Sequence, residues 1–254
     1  MDKVAFVTGA SSGLGRGLAR RLARDGYAVG LAARRVERLE ALAEEIRAGG
    51  GRAHVCPCDV SVRTQVLEAV AEATQALGPV DLLVANAGYG DMVSARSLDG
   101  EAVERMVRVN FFGAVYAVEA VLPAMLERNH GHLVAMGSLA GYNGLPKSAA
   151  YSASKGAMHN FFESLRLDLV RTGVAVTMVT PGYVRTELTD KSKHPMPQLL
   201  ELDDAVDRIM GAIRKRKRVC AFPRPLSTLV WLGQMFPAWL YDALVSGVPR
   251  DKRP

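Results

Sequence analysis

The sequence predicts a single-domain α/β protein, a doubly wound parallel sheet of about seven strands with an apolar helical extension at the C-terminus. Three observations predict it. Short, continuous runs rich in Val, Leu and Ala alternate with amphipathic helical patterns, as expected of strands buried on both faces. The first run leads through Thr8-Gly9-Ala10-Ser11-Ser12-Gly13-Leu14-Gly15 into a helix. No internal repeat, low-complexity segment or linker divides the chain, so residues 1–223 read as one domain and 224–254 as its extension.

Residues 3–7 form the first strand, which leaves no room for a removable leader. Leu14, Leu18 and Leu22, with Ala19 and Ala23, lie on neighbouring rows of a helix that Gly26 closes. Strand, glycine turn and helix together place a pyrophosphate on a helix N-terminus, where close backbone approach lets free N–H groups meet the anion. The spacing is Gly-x-x-x-Gly-x-Gly rather than Gly-x-Gly-x-x-Gly, so the motif draws its weight from its place between strand and helix. A second strand covers Ala28–Ala33. An acidic residue at its end would bind a ribose with a free 2′-hydroxyl. Here Ala33 is followed by Arg34 and Arg35, and guanidinium groups pair with phosphate in a bidentate way. The pair therefore reads as a 2′-phosphate site, selecting NADP(H) over NAD(H), with Arg34 the better candidate.

A helix over Val36–Ala48 ends at Gly49-Gly50-Gly51, and a strand over 52–57 leads to Asp59-Val60. A helix over 62–77 stops at Gly78-Pro79. A strand over 81–85 precedes Asn86-Ala87-Gly88. A long helical stretch over 99–128 contains Asn110, and Pro123 predicts a kink or a boundary within it. A strand over 132–136 ends at Ser138, a helix covers 151–171, and a strand over 174–179 precedes Pro181-Gly182. A helix over 203–213 and a strand over Val219–Phe222 complete the body.

Ser138, Tyr151 and Lys155 carry the chemistry. A tyrosine and a lysine four residues apart share one face of a helix. An unperturbed phenol titrates near about 10, too high for easy proton exchange at neutral pH. A neighbouring ammonium favours the phenolate and is expected to lower that value, which suits proton transfer to or from a carbonyl or alcohol oxygen. Such pairs also decorate helix surfaces, so the context decides. Ser138 follows an apolar run and falls at a strand's carboxyl end, where open α/β sheets bind ligands.

With these motifs in this order, the chain resembles the short-chain dehydrogenase/reductase family in its classical form, over about residues 3–190. The resemblance rests on Thr8–Gly15, Asp59-Val60, Asn86-Ala87-Gly88, Asn110, Ser138 with Tyr151-x-x-x-Lys155, and Pro181-Gly182. It implies a Rossmann fold and an NADP(H)-dependent oxidoreductase that interconverts a ketone or aldehyde and an alcohol. By resemblance, Tyr151 exchanges the proton and Ser138 positions the substrate oxygen. Lys155 binds the nicotinamide ribose and depresses the tyrosine, and Asn110 holds a water linking the lysine to solvent. Gly9, Ser11, Ser12, Gly13, Leu14 and Gly15 would line the pyrophosphate side. Asp59, Val60, Asn86, Ala87 and Gly88 would line the adenosine, with Arg34 and Arg35 at its phosphate. Pro181, Gly182, Val184 and Thr186 would contact the nicotinamide end. The alternative is a non-catalytic, NADP(H)-sensing binding protein on the same fold, against which the intact Asn110/Ser138/Tyr151/Lys155 set argues. An epimerase or dehydratase acting on sugar nucleotides usually needs a longer substrate domain.

Composition bounds the rest. Residues 214–254 hold nine Lys/Arg against Asp242 and Asp251, a charge of +7, so the body is close to neutral within a total of +6. That argues against a nucleic-acid footprint. Cys56, Cys58 and Cys220 read as structural thiols, and a reducing, cytoplasmic setting is expected. His54, His130, His132, His159 and His194 show no metal-ligand spacing. Residues 226–236 and 238–245 are apolar nearly all round and carry Trp231 and Trp239. Joined, they would put Gln234, Pro237 and Asp242 in hydrocarbon, so a membrane span is not expected. They are expected to cover the substrate cleft or a subunit interface. The sharper alternative is a peripheral membrane contact, with residues 214–218 and 250–253 facing anionic lipid. Residues 183–202 read as a mobile lid. Residues 89–95 and 139–147 lack charge clusters, which favours an uncharged, fairly apolar carbonyl or alcohol substrate. The chain continues beyond the last strand, which departs from the family's usual tetramer contact. A homodimer through the 99–128 and 151–171 helices is expected instead.

Overall fold

The computed structural model describes residues 3–91, 94–187, 189 and 196–245. Its strands are β1 (Val4–Thr8), β2 (Ala28–Ala33), β3 (Ala53–Pro57), β4 (Leu82–Ala85), β5 (Gly131–Met136), β6 (Val174–Pro181) and β7 (Val219–Phe222). All pair in parallel, in the order β3-β2-β1-β4-β5-β6-β7. The helices are α1 (Gly13–Arg24), α2 (Val36–Ala48), α3 (Arg63–Leu77), α4 (Gly100–Val107), α5 (Gly113–Glu127), α6 (Ala149–Asp168), α7 (Leu202–Arg214), α8 (Arg224–Gly233) and α9 (Ala238–Val245).

The strand side chains alternate between two cores. Val7, Val29, Leu31 and Val84 face α1, α2 and α7, where Leu18, Leu22, Leu42 and Ile209 meet them. Phe6, Ala32, Leu83 and Leu133 face the opposite way, onto Val66, Val118 and Phe162 of α3, α5 and α6. Burial on both faces explains the continuous apolar runs of β1, β2, β4 and β5. The edge strands β3 and β7 are partly open. Cys56 and Cys58 are free thiols buried on this sheet, and burial pushes them up to about 12 and about 11, outside the reactive range.

The expected break at Pro123 is not there. Pro123 lies inside α5 on its exposed side, where water can meet the carbonyl that the proline leaves unpaired. The irregularity is a π-turn at Arg108–Phe112, between α4 and α5. Residues 100–127 are apolar and long enough to cross a bilayer, but α5 packs on α3 and on β4 and belongs to the core.

The basic run at 214–218 enters β7 at the sheet's amino edge, where Arg214 pairs with Asp25 at 2.7 Å and Arg218 pairs with Glu163. α8 leaves β7 at the carboxyl edge, where the Cβ position of Gly182 lies against Pro223, Leu226 and Leu139. The basic run and the apolar helices thus join β7 at its opposite ends. Residues 250–253 and most of the 188–195 segment lie outside the described residues.

His132 on β5 is tied through Thr177 of β6 to the segment that enters β7. Thr177 Oγ1 donates to the Lys217 carbonyl at 2.6 Å, so His132 Nε2 is the donor across 2.8 Å to Thr177. Burial, then the Arg216 charge, brings His132 down to about 4. The folded state holds it neutral while the unfolded state protonates near about 6.5, so its contribution is present above that value and is lost as pH falls towards 4. We expect a loss of about 2 kcal/mol by pH 5 from this residue, and a flatter slope in His132→Asn, read from urea midpoints between pH 7 and 5.

Candidate active site

The chain runs outward from β1 to β2 and β3, then returns to β4, so β1 and β4 diverge at their carboxyl ends and open a cleft. Thr8 closes β1. Its hydroxyl accepts the backbone N–H groups of Asn86 and Ala87, both at 3.0 Å, while Asn86 Nδ2 donates to the Thr8 carbonyl at 2.9 Å. The Asn86-Ala87-Gly88 segment is thereby pinned beside the glycine turn. Gly9 has φ +69°, and a Cβ there would lie 2.8 Å from Asn86 Nδ2. At Gly15 a Cβ would overlap the Gly9 carbonyl oxygen and Asn86 Nδ2.

The turn delivers the chain to the start of α1, whose first N–H groups have no intrahelical partner. Ser12 makes no side-chain cap at the positive end of α1, and among the described residues its first turn carries no acid. Ser11 and Ser12 instead receive the Arg35 guanidinium, at 3.0 and 2.6 Å. Arg34 is exposed and approaches Asp59 at 3.9 Å. Burial raises the Asp59 carboxyl, but two bonds from Ser61 and the Arg34 charge outweigh it and hold the carboxyl below its usual range. Val60 packs below, against the Cβ position of Gly113. Uncapped helix end, close-packed glycines and guanidinium groups fit a dinucleotide carrying phosphate.

At the other end of the cleft, Ser138 follows β5, and its Oγ accepts the Ala140 N–H at 3.2 Å. Tyr151 lies in the first turn of α6, and the nearby Ser138 side chain favours its phenolate. Its ring packs with Tyr89, Met106 and Ala150. Lys155, one turn on, is buried, with Nζ 5.9 Å from the Tyr151 ring centre and 2.8 Å from the Met136 carbonyl. Asn110 sits in the π-turn, fully buried. Its amide donates to the Tyr89 carbonyl at 2.8 Å and to Ser154 Oγ at 3.0 Å, and its oxygen accepts the Tyr89 N–H at 2.9 Å. The Cβ position of Gly88 lies 3.0 Å from Asn110 Oδ1 and 3.4 Å from Lys155 Nζ, so glycine keeps the space between them open. Pro181 ends β6, Val184 is buried, and Thr186 reaches back to the glycine turn, its Cγ2 3.3 Å from the Cβ position of Gly13.

The candidate catalytic and nucleotide-binding residues thus gather at the carboxyl edge of the sheet. One expectation is corrected. Burial pushes the Tyr151 phenol up, and Ser138 only partly offsets it. Lys155 does not reverse this, because burial lowers the lysine itself to about 8 and its ammonium is turned to the Met136 carbonyl. Sequence reasoning missed Thr8, Arg38, Ser154 and Glu187. Arg38 had a signal, since it lies one helical turn beyond Arg34. Glu187 had none, because its partners Arg35 and Arg38 are 152 and 149 residues away.

A parallel sheet with an anion-ready glycine turn at its switch point and a Ser–Tyr–Lys group beside it defines a nucleotide-dependent oxidoreductase fold. The family model for short chain dehydrogenases matches residues 3–197. An uncharacterized oxidoreductase of Myxococcus xanthus is 44% identical over 241 residues, covering 95% of each chain. A short chain dehydrogenase/reductase from Burkholderia phymatum in complex with NAD superposes with TM-score 0.86 at 26% identity, over 100% of this chain and 98% of that one. An actinorhodin polyketide ketoreductase variant with NADPH gives TM-score 0.79 at 31% identity, over 87% and 94%. The chain belongs to the short-chain dehydrogenase/reductase family of oxidoreductases.

Proposed function

We propose that this protein is an NADP(H)-dependent oxidoreductase interconverting a ketone or aldehyde and the corresponding alcohol. The observation that carries the reading is Ser138 and Tyr151 brought together with Lys155 buried one turn away, at the same sheet edge as the open end of α1. The dinucleotide, when bound, supplies or accepts the hydride. Gly9, Ser11, Ser12, Gly13, Leu14 and Gly15 would hold its pyrophosphate, Asp59, Val60, Asn86, Ala87 and Gly88 its adenosine side, and Pro181, Gly182, Val184 and Thr186 its other end. Ser138 orients the substrate oxygen towards Tyr151. Because burial raises the phenol, Tyr151 keeps its proton at neutral pH and is a ready donor to the oxygen that gains charge during carbonyl reduction. Asn110 Oδ1 retains one acceptor position and Lys155 Nζ two hydrogens, so the space kept open by Gly88 suits a water that returns the proton.

Arg34 and Arg35, with no carboxylate at Ala33, support preference for the 2′-phosphorylated nucleotide. Relatives with bound ligands include both NAD and NADPH forms, so this chain's own residues carry the preference argument. Exposed Phe112 in the π-turn, Leu126 on α5 and Leu167 on α6 support a homodimer formed there. α8 and α9 support a cover over one side of the substrate cleft: Asn143 Nδ2 donates to the Val230 carbonyl at 3.3 Å, and Tyr241 Oη to the Gly144 carbonyl at 2.7 Å. A cytoplasmic setting and an apolar substrate go with this reading.

The test is nicotinamide absorbance over a panel of apolar ketones, aldehydes and secondary alcohols with both nucleotides. We expect turnover with NADPH, and in Arg34→Ala a rise in its KM of about tenfold, with NADH little changed. Equal use of both nucleotides, unaffected by the substitution, overturns the phosphate assignment. Nucleotide binding without turnover of any compound overturns the catalytic one.

A further inference from the structure

One carboxylate at the nucleotide cleft has no part in the reading above. Glu187 stands just beyond Thr186, on the segment that leaves β6 for the far side of the cleft. Its two oxygens each accept Arg38 Nη1 at 2.8 Å, and Oε2 lies 3.5 Å from Arg35 Nη1. It therefore reaches across the glycine turn from the nicotinamide side to the adenosine side. Arg35 is held in place from below by Ser11 and Ser12.

The charge balance at this corner follows. Arg34, Arg35 and Arg38 provide three positive charges, and Asp59 and Glu187 provide two negative ones, each within 4 Å of a guanidinium. A nucleotide 2′-phosphate brings a charge of about −2 to a corner whose net charge is only +1. Asp59 has its own hydrogen bonds from Ser61, whereas Glu187 pairs with Arg35 and Arg38. The Arg38 bond holds the Glu187 carboxyl below its usual range, so it is fully charged at neutral pH.

We propose that Glu187 is a specificity-determining residue for the nucleotide: its carboxylate competes with a 2′-phosphate for Arg35 and Arg38, and so limits how strongly the site prefers the phosphorylated dinucleotide. This rests on the reading of the Arg34–Arg35 corner as the 2′-phosphate site. The pair is half exposed, so the competition is modest and weakens with salt. NADH lacks the phosphate and does not compete for these guanidinium groups.

The experiment is calorimetric titration of the intact protein with NADPH and with NADH, for the wild type, Glu187→Gln and Arg34→Ala. Glu187→Gln is expected to tighten NADPH about threefold to tenfold with NADH unchanged, raising the NADH/NADPH Kd ratio by that factor at low salt and much less near 1 M salt, where the screening length is about 3 Å. A ratio unchanged or lowered by Glu187→Gln overturns the proposal. So does an equal change for both nucleotides, which marks a structural role in holding the loop. The 2′-phosphate reading stands or falls separately, on the wild-type ratio and its loss in Arg34→Ala.

Discussion

Tyr151→Phe is expected to lower kcat for carbonyl reduction by about a thousandfold, leaving NADPH affinity and Tm close to those of the wild type. The substitution removes one oxygen. The ring stays packed on Tyr89, Met106 and Ala150, so no cavity opens. Ser138 Oγ still accepts the Ala140 N–H, and the β5 end keeps its shape. Lys155 also stays in place, since its hydrogen bond goes to the Met136 carbonyl and not to the tyrosine. What is lost is the proton donor at the substrate oxygen, an effect of about 100-fold to 10,000-fold for a positioned acid. Single-turnover absorbance with NADPH separates this from binding, because the loss must appear in the chemical step. Full activity in Tyr151→Phe would assign the proton to another group and remove the catalytic reading.

Part of this site is legible in the sequence. Tyr151 and Lys155 stand one helical turn apart, and the apolar run before Ser138 marks a strand buried on both faces. These are local patterns, set by the periods of helix and strand. The glycine turn is local in the same sense. The charge state of Tyr151 was not visible, since burial sets it and burial comes from chain segments far away. The π-turn was equally hidden. Arg108-Val109-Asn110-Phe111-Phe112 contains no helix breaker, and the partners that hold Asn110 lie 21 and 44 residues from it, in Tyr89 and Ser154. Pro123 misled in the opposite direction. A proline reads as a break, but this one faces solvent within an unbroken helix that packs on α3 and β4. The basic run at 214–218 and the apolar helices α8 and α9 look adjacent in sequence, and a four-residue strand puts them at opposite edges of the sheet.

Gly15→Ala is expected to destabilise the protein by about 3 kcal/mol and to abolish most of its response to nucleotide. The added methyl would fall on the Gly9 carbonyl oxygen and on Asn86 Nδ2. Neither can turn aside cheaply. The first is backbone, in a turn whose φ is already positive at Gly9. The second donates to the Thr8 carbonyl at 2.9 Å and helps tie β1 to the segment after β4. Relief must come from α1 moving away from the turn, which displaces the N–H groups that would meet the pyrophosphate. Stability and nucleotide binding are thus expected to fail together. In the wild type, saturating NADPH raises Tm by mass action. Gly15→Ala should melt lower and show little of that rise. Gly100→Ala is the control, because nothing lies within 4 Å of its Cβ position, and it should keep both Tm and the NADPH shift. If Gly15→Ala matches Gly100→Ala in both, the close approach of α1 to the β1–β4 cleft does not hold the nucleotide site together.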